Sequence, residues 1–150
     1  MIETFKATQK NYADLLHFLV NNFDYDFYFT EHNARYYIDE IPTLKKLLKS
    51  SDLIYSIQTG GDFDGIILTW KSVGGGKQRH YVKLNVKTVE LAEKLLTVLL
   101  WNTKQHLFVK LRKDSKFMPL FKNKGFRFKG GRGIQVLLQR KYQKEEKNGS

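Results

Sequence analysis

There is no cysteine in this chain of 150 residues, which removes disulfides, thiolate metal sites and a thiol nucleophile together. No apolar run approaches the roughly 18 residues needed to span a bilayer. The first residues, Met1-Ile2-Glu3-Thr4-Phe5-Lys6, lack the basic segment and apolar stretch of a secretory signal, so a soluble, cytoplasmic protein with no membrane partner is expected. The histidines His17, His32, His80 and His106 have no metal-ligand spacing, and no acidic pair completes a ligand set with them. No metal is expected. Gly74-Gly75-Gly76-Lys77 lacks the following Ser or Thr of a phosphate loop and reads as a hairpin tip. The Gly-x-Ser-x-Gly elbow is missing too, which leaves no case for a hydrolase nucleophile.

Acidic residues are scarce at one end. Residues 1–103 hold 12 Lys and Arg against 12 Asp and Glu, whereas residues 104–150 hold 14 against 3, so the last third carries the whole net charge of +11. A merely solvated face mixes signs, so this excess points to an anionic partner: a nucleic acid backbone, the phosphates of a cofactor or an acidic protein surface. The cations come as Lys110, Arg112, Lys113 and Lys116, then Lys122, Lys124, Arg127, Lys129 and Arg132, with Arg140 and Lys141 beyond. Phenylalanines 117, 121, 126 and 128 are interleaved with them. Exposed aromatics among cations can stack on bases, but these alternate as core residues do. Arg127 and Lys129 would then share one exposed strand face, and Arg132, between glycines, would be presented by a loop.

The pattern along the chain is that of one domain, residues 1–142, with a polar tail over 143–150. Ile2–Ala7 reads as a strand, and Tyr12, Leu15, Leu16, Leu19 and Val20 fall at helical spacing. Residues 23–40 are aromatic and acidic with no clean period, and Pro42 opens a short helix. Leu53–Thr59, Gly65–Lys71 and Tyr81–Val86 form three meandering strands. Thr88 caps a helix over Val89–Asn102, which leads to a strand at His106–Leu111 and a short helix ended by Gly125. Two last strand segments follow. The long helix between two strands has the length of a parallel crossover, so the expected fold class is α/β in the broad sense: a mixed α+β sheet with helices on both faces.

Tyr81–Val86, Val89–Asn102, Leu107–Leu111 and Phe121-Lys122-Asn123-Lys124-Gly125-Phe126 together resemble the strand, helix, strand and closing Tyr-x-x-x-Gly-Phe element of the GNAT N-acetyltransferase superfamily. The resemblance implies an acyltransferase using acetyl-CoA or another acyl-CoA, with an amine or a nucleic-acid-associated acceptor. It implies a cofactor site at Leu84, Asn85, Val86, Lys87, Thr88 and Val89, where strand amides hold the pantetheine arm and the helix N-terminus holds the pyrophosphate. On the acceptor side it places Asp24–Glu40, where Glu31 and His32 are the base candidates, because an imidazole or a desolvated carboxylate can be tuned toward neutral pH. The plain reading of that stretch is a solvated acidic loop whose aromatics pack on the sheet.

The chain departs from the family pattern twice. The stretch Asn85–Ala92 has no glycine and carries Glu90 in the first helical turn, where a negative charge opposes a phosphate. Phe121 stands where many members have a tyrosine acid. A second reading therefore stays open: a GNAT-like binding protein without the reaction, holding nucleic acid or an acidic protein on its basic C-terminal face. Oligomeric state is not readable from the sequence.

Overall fold

Side-chain alternation and turn chemistry decide most of the sheet. The computed structural model describes residues 2–5, 12–21, 29–31, 34–36, 48–49, 51–74, 77–133 and 135–142. The first strand, β1 (Ile2–Thr4), precedes helix α1 (Tyr12–Asn21) and a small separate hairpin of β2 (Phe29–Glu31) and β3 (Ala34–Tyr36). There follow β4 (Ser51–Thr59), β5 (Asp62–Gly74), β6 (Lys77–Val86), helix α2 (Val89–Asn102), β7 (Leu107–Arg112), helix α3 (Met118–Asn123), β8 (Arg127–Arg132) and β9 (Gln135–Arg140). The main sheet has seven strands in the order β1-β4-β5-β6-β7-β9-β8. Every neighbouring pair is antiparallel except β6 and β7.

The β4–β5 turn is a two-residue loop, because Thr59 pairs with Asp62 across Gly60 (φ 60°) and Gly61 (φ 92°). Two successive left-handed residues match the twist of the flanking strands, which is why two glycines stand there. The sheet separates two apolar layers. Val82 and Leu84 of β6 join Ala92, Leu95, Leu96 and Leu99 of α2 in one, the last four lying one helical turn apart on a single face. Tyr81 of β6 points the other way and joins Leu15, Leu16 and Phe18 of α1. Helices therefore cover both faces, as the crossover spacing implied.

The closing element has a plain physical account. Phe126 N–H donates to the Phe121 carbonyl at 3.0 Å and Gly125 N–H to the Lys122 carbonyl at 3.1 Å, with Gly125 at φ 94°. This is a Schellman end to α3, which needs a left-handed residue after the helix and sets the next residue against the helix three positions before the cap. The contact is Phe126 on Phe121, edge to face at 5.0 Å. Both rings are fully buried.

Candidate active site

Between β6 and β7 the ladder stops almost as soon as it starts. The parallel register holds only at His80↔Leu107 and Tyr81↔Phe108. At that level Trp70, Tyr81 and Phe108 form a row of rings across three strands, 5.6 Å and 5.8 Å between neighbouring centroids. The row clamps the strands on the α1 face. Beyond it, from Val82 to Val86, β6 keeps its full pairing with β5 but has no partner in β7. Along this stretch the N–H and C=O groups of β6 that face β7 are not used by the ladder, which leaves a wedge between the two strands.

The wall of the wedge on the α1 face is polar but closed to water. Lys83 and Asn85 follow Tyr81 on that face, each 1% exposed, with Lys83 Nζ donating to Asn85 Oδ1 at 2.6 Å. A lysine so deeply buried is held only by charge-assisted bonds of this kind. Strand alternation alone does not distinguish this pair from a solvent-facing one. What buries it is the second layer laid over the sheet.

At the mouth of the wedge, β6 turns into α2. Lys87 N–H donates to the Asp64 carbonyl at 3.0 Å, and its Nζ lies 3.0 Å from Asp64 Oδ1. Thr59 donates its hydroxyl to the other Asp64 oxygen. The Thr59 hydroxyl, and after it the Lys87 ammonium, hold the Asp64 carboxyl below the usual carboxylate range. A carboxylate depressed by folding adds stability that is present above its unfolded pKa and is lost as pH falls through the folded value. The stability gap between the native protein and Asp64→Asn is therefore expected to be open at pH 7 and to close below about pH 4. Urea titrations across that range check it, and a gap independent of pH would refute the assignment.

Thr88 caps α2 by accepting from Leu91 N–H at 3.3 Å, which engages one lone pair of its hydroxyl oxygen. The amides of Val89 and Glu90 remain for a ligand at this helix end, beside a half-exposed Val89. Leu84 is buried under α2, while Asn85 and Val86 line the upper part of β6. Glu31 ends β2, paired with Ala34, and His32 lies outside the described residues. Phe121 is fully buried against Phe126, and its ring carries no exchangeable proton.

The cations of the last third do not gather on one face. Arg112, Lys113 and Lys116 follow the C-terminal end of β7, the same end of the sheet as the wedge, where Arg112 pairs with Asp114 at 3.2 Å. Lys110 lies over the Tyr81 ring at 5.4 Å and Lys116 over Phe117 at 5.2 Å. Lys122 is exposed on α3, and Arg132 belongs to β8. The register carries the rest to the far end: Arg140 pairs with Leu107, Leu107 with His80, and Arg127 with Gln139. There Lys124, Arg127 and Lys129 meet Lys104, Arg140 and Lys141 around a groove of about 1270 Å³. Phe128 lies in this groove and not in the core, 67% exposed, because β8 is an edge strand and its register shifts between Phe128 and Gly130. Trp101, 83% exposed, lines the same groove. Its place at the end of the apolar run Val98–Trp101 gave no sequence signal that it would face water.

A mixed sheet whose two central parallel strands part after a short contact, with a helix crossing between them, defines the GNAT acetyltransferase fold. Solved structures agree across nearly the whole chain. An acetyltransferase of the GNAT family from Streptococcus pneumoniae is 15% identical, with 94% of this chain and 98% of that chain covered at a TM-score of 0.65. The ribosomal-protein-S18-alanine N-acetyltransferase from Escherichia coli is 12% identical, with 99% and 97% covered at 0.66. PaiA N-acetyltransferase from Thermoplasma acidophilum, in complex with coenzyme A, is 12% identical, with 95% and 99% covered at 0.61. No family model matches the sequence, and no curated protein is significantly similar to it. Among the described residues no helix is long and apolar enough to cross a membrane.

Proposed function

We propose that this protein transfers an acyl group from an acyl-CoA to an amine. The observation that carries the reading is the parting of β6 from β7 after Tyr81 and Phe108. A thioester arm is slim and carries amide groups along its length, so it suits an open strand edge. The residues present fit this arm well. For the phosphates they offer the amides of Val89 and Glu90, with Lys113 and Lys116 at the same end of the sheet, whereas Lys87 is held by Asp64.

When bound, coenzyme A would supply the activated acyl carbon. The chain's part is to present N–H groups of the Leu84–Val86 edge to the carbonyl oxygen, where negative charge develops as the amine attacks. Glu31 or His32 takes the proton released by the amine as the C–N bond forms and the C–S bond breaks. Phe121 offers no acid, so the proton that neutralises the leaving thiolate has to come from a donor other than that position.

Calorimetry and thermal melts with acetyl-CoA and longer acyl-CoA thioesters at low salt test this. Binding to the native state alone is expected to add about 2.7 kcal/mol of stability at a ligand concentration 100 times the Kd. A folded sample that gives neither heat nor a melting shift with any of them would overturn the reading.

A further inference from the structure

The groove at the far end of the sheet is not explained by acyl transfer. It stands at the level of His80 and Leu107, where β6 and β7 are joined, while the wedge opens at the other ends of these strands. Among the described residues its lining includes six cations and no carboxylate. Among them Lys104, Lys129 and Lys141 are exposed and, among the described residues, have no acidic partner. Trp101 and Phe128 lie between these charges as the two most exposed large apolar side chains of the described residues.

From this arrangement we infer that the groove binds a single-stranded polynucleotide without regard to sequence. Cations that track phosphates, set beside rings on which unpaired bases stack, are the two requirements of such a site. A second basic pocket shares Lys129 and Gln139 with the groove and continues to Arg79, whose guanidinium lies 4.7 Å above the Phe108 ring. The basic lining thus continues from one pocket into the other. A second copy of the chain is a poor occupant, because two faces of the same sign repel. An anionic bilayer is also a poor one, because the rings lie within a concavity, which admits a thread more readily than a plane. A duplex keeps its bases stacked and out of reach of the rings.

The test uses the full chain and fluorescein-labelled 20-nucleotide oligothymidylate and oligouridylate, read by anisotropy at 50 mM salt. Both are expected to bind, or one if the groove reads the sugar, and affinity is expected to fall steeply by 200 mM salt. Trp101→Ala and Phe128→Ala are each expected to weaken binding about 5- to 100-fold. Lys104→Glu combined with Lys129→Glu should abolish it, while Lys94→Glu, on α2 outside the groove, should leave it unchanged. All these positions are exposed, and thermal melts confirm that the variants fold. Saturating acetyl-CoA is expected not to displace the oligonucleotide, so this result stands or falls apart from acyl transfer. No binding to either strand would overturn the inference. So would binding indifferent to both aromatic substitutions, tighter binding of a 20-base-pair duplex, or capture by phosphatidylserine vesicles or an acidic protein without capture of oligonucleotide.

Discussion

Phe126→Ala is expected to destabilise the protein by about 3–5 kcal/mol, the range for removing a large buried aromatic. The size follows from two losses at one place. Phe126 is 0% exposed, so alanine leaves a cavity in the layer beneath α2. It is also the residue that locks the end of α3 by packing on Phe121 at 5.0 Å. Without it the Gly125 turn still forms its hydrogen bonds, but nothing fixes the direction in which β8 leaves. The groove residues Arg127, Phe128 and Lys129 come next in the chain, so surviving folded protein should lose order there first. Chemical denaturation gives the stability, and exchange protection of β8 amides gives the second readout. A loss below about 1 kcal/mol would show that the Schellman contact does not carry the weight assigned to it.

Asn85→Leu is expected to cost about 1.5–3 kcal/mol, the range for a hydrogen bond to a charged group. It removes one acceptor of the buried Lys83 ammonium, 2.6 Å away in the native protein. Lys83→Met alone removes the donor to the Asn85 carbonyl instead. Making both changes removes donor and acceptor together, so the double variant should be much closer to the native protein than the sum of the singles predicts. Additivity of the two changes would refute the pairing. Because Asn85 also lies beside the unpaired edge of β6, acyl-CoA affinity is a useful second measurement on the same proteins. Loss of affinity in Asn85→Leu that returns in the double variant would tie the shape of the wedge to this bond.

The wedge and the groove lie at opposite ends of one pair of strands. The ring row of Trp70, Tyr81 and Phe108 holds β6 to β7 at one level only. On one side of that clamp the strands part, and on the other the end of α2 and the edge strand β8 surround the groove. Tethering a polynucleotide at one end while acylating an amine at the other is a combination that the tests above can separate, since neither requires the other to succeed.

Much of the architecture was legible without coordinates. Thr88 before Val89, Gly60-Gly61 between alternating runs, and Lys124-Gly125-Phe126 after a strand all act through local backbone chemistry: an N-cap, a type I′ turn and a Schellman end. Such signals survive in a single sequence because their partners lie within a few residues. The net charge of the last third was equally plain. What it touches was not, because Arg127 and Arg140 are brought level by strand register, and Lys104 joins them only through the crossover. Lys83 and Phe128 show the same division from opposite sides. The first alternates like a surface residue and is buried by a second layer, while the second alternates like a core residue and is left in water by its place on an edge strand. The sequence by itself determined the long helix, most strands of the main sheet and where charge accumulates, since these depend on neighbours in the chain, though not the small hairpin of β2 and β3. Only the tertiary structure decided which strand edge stays open and which rings stay wet, since these depend on what packs against them from far away.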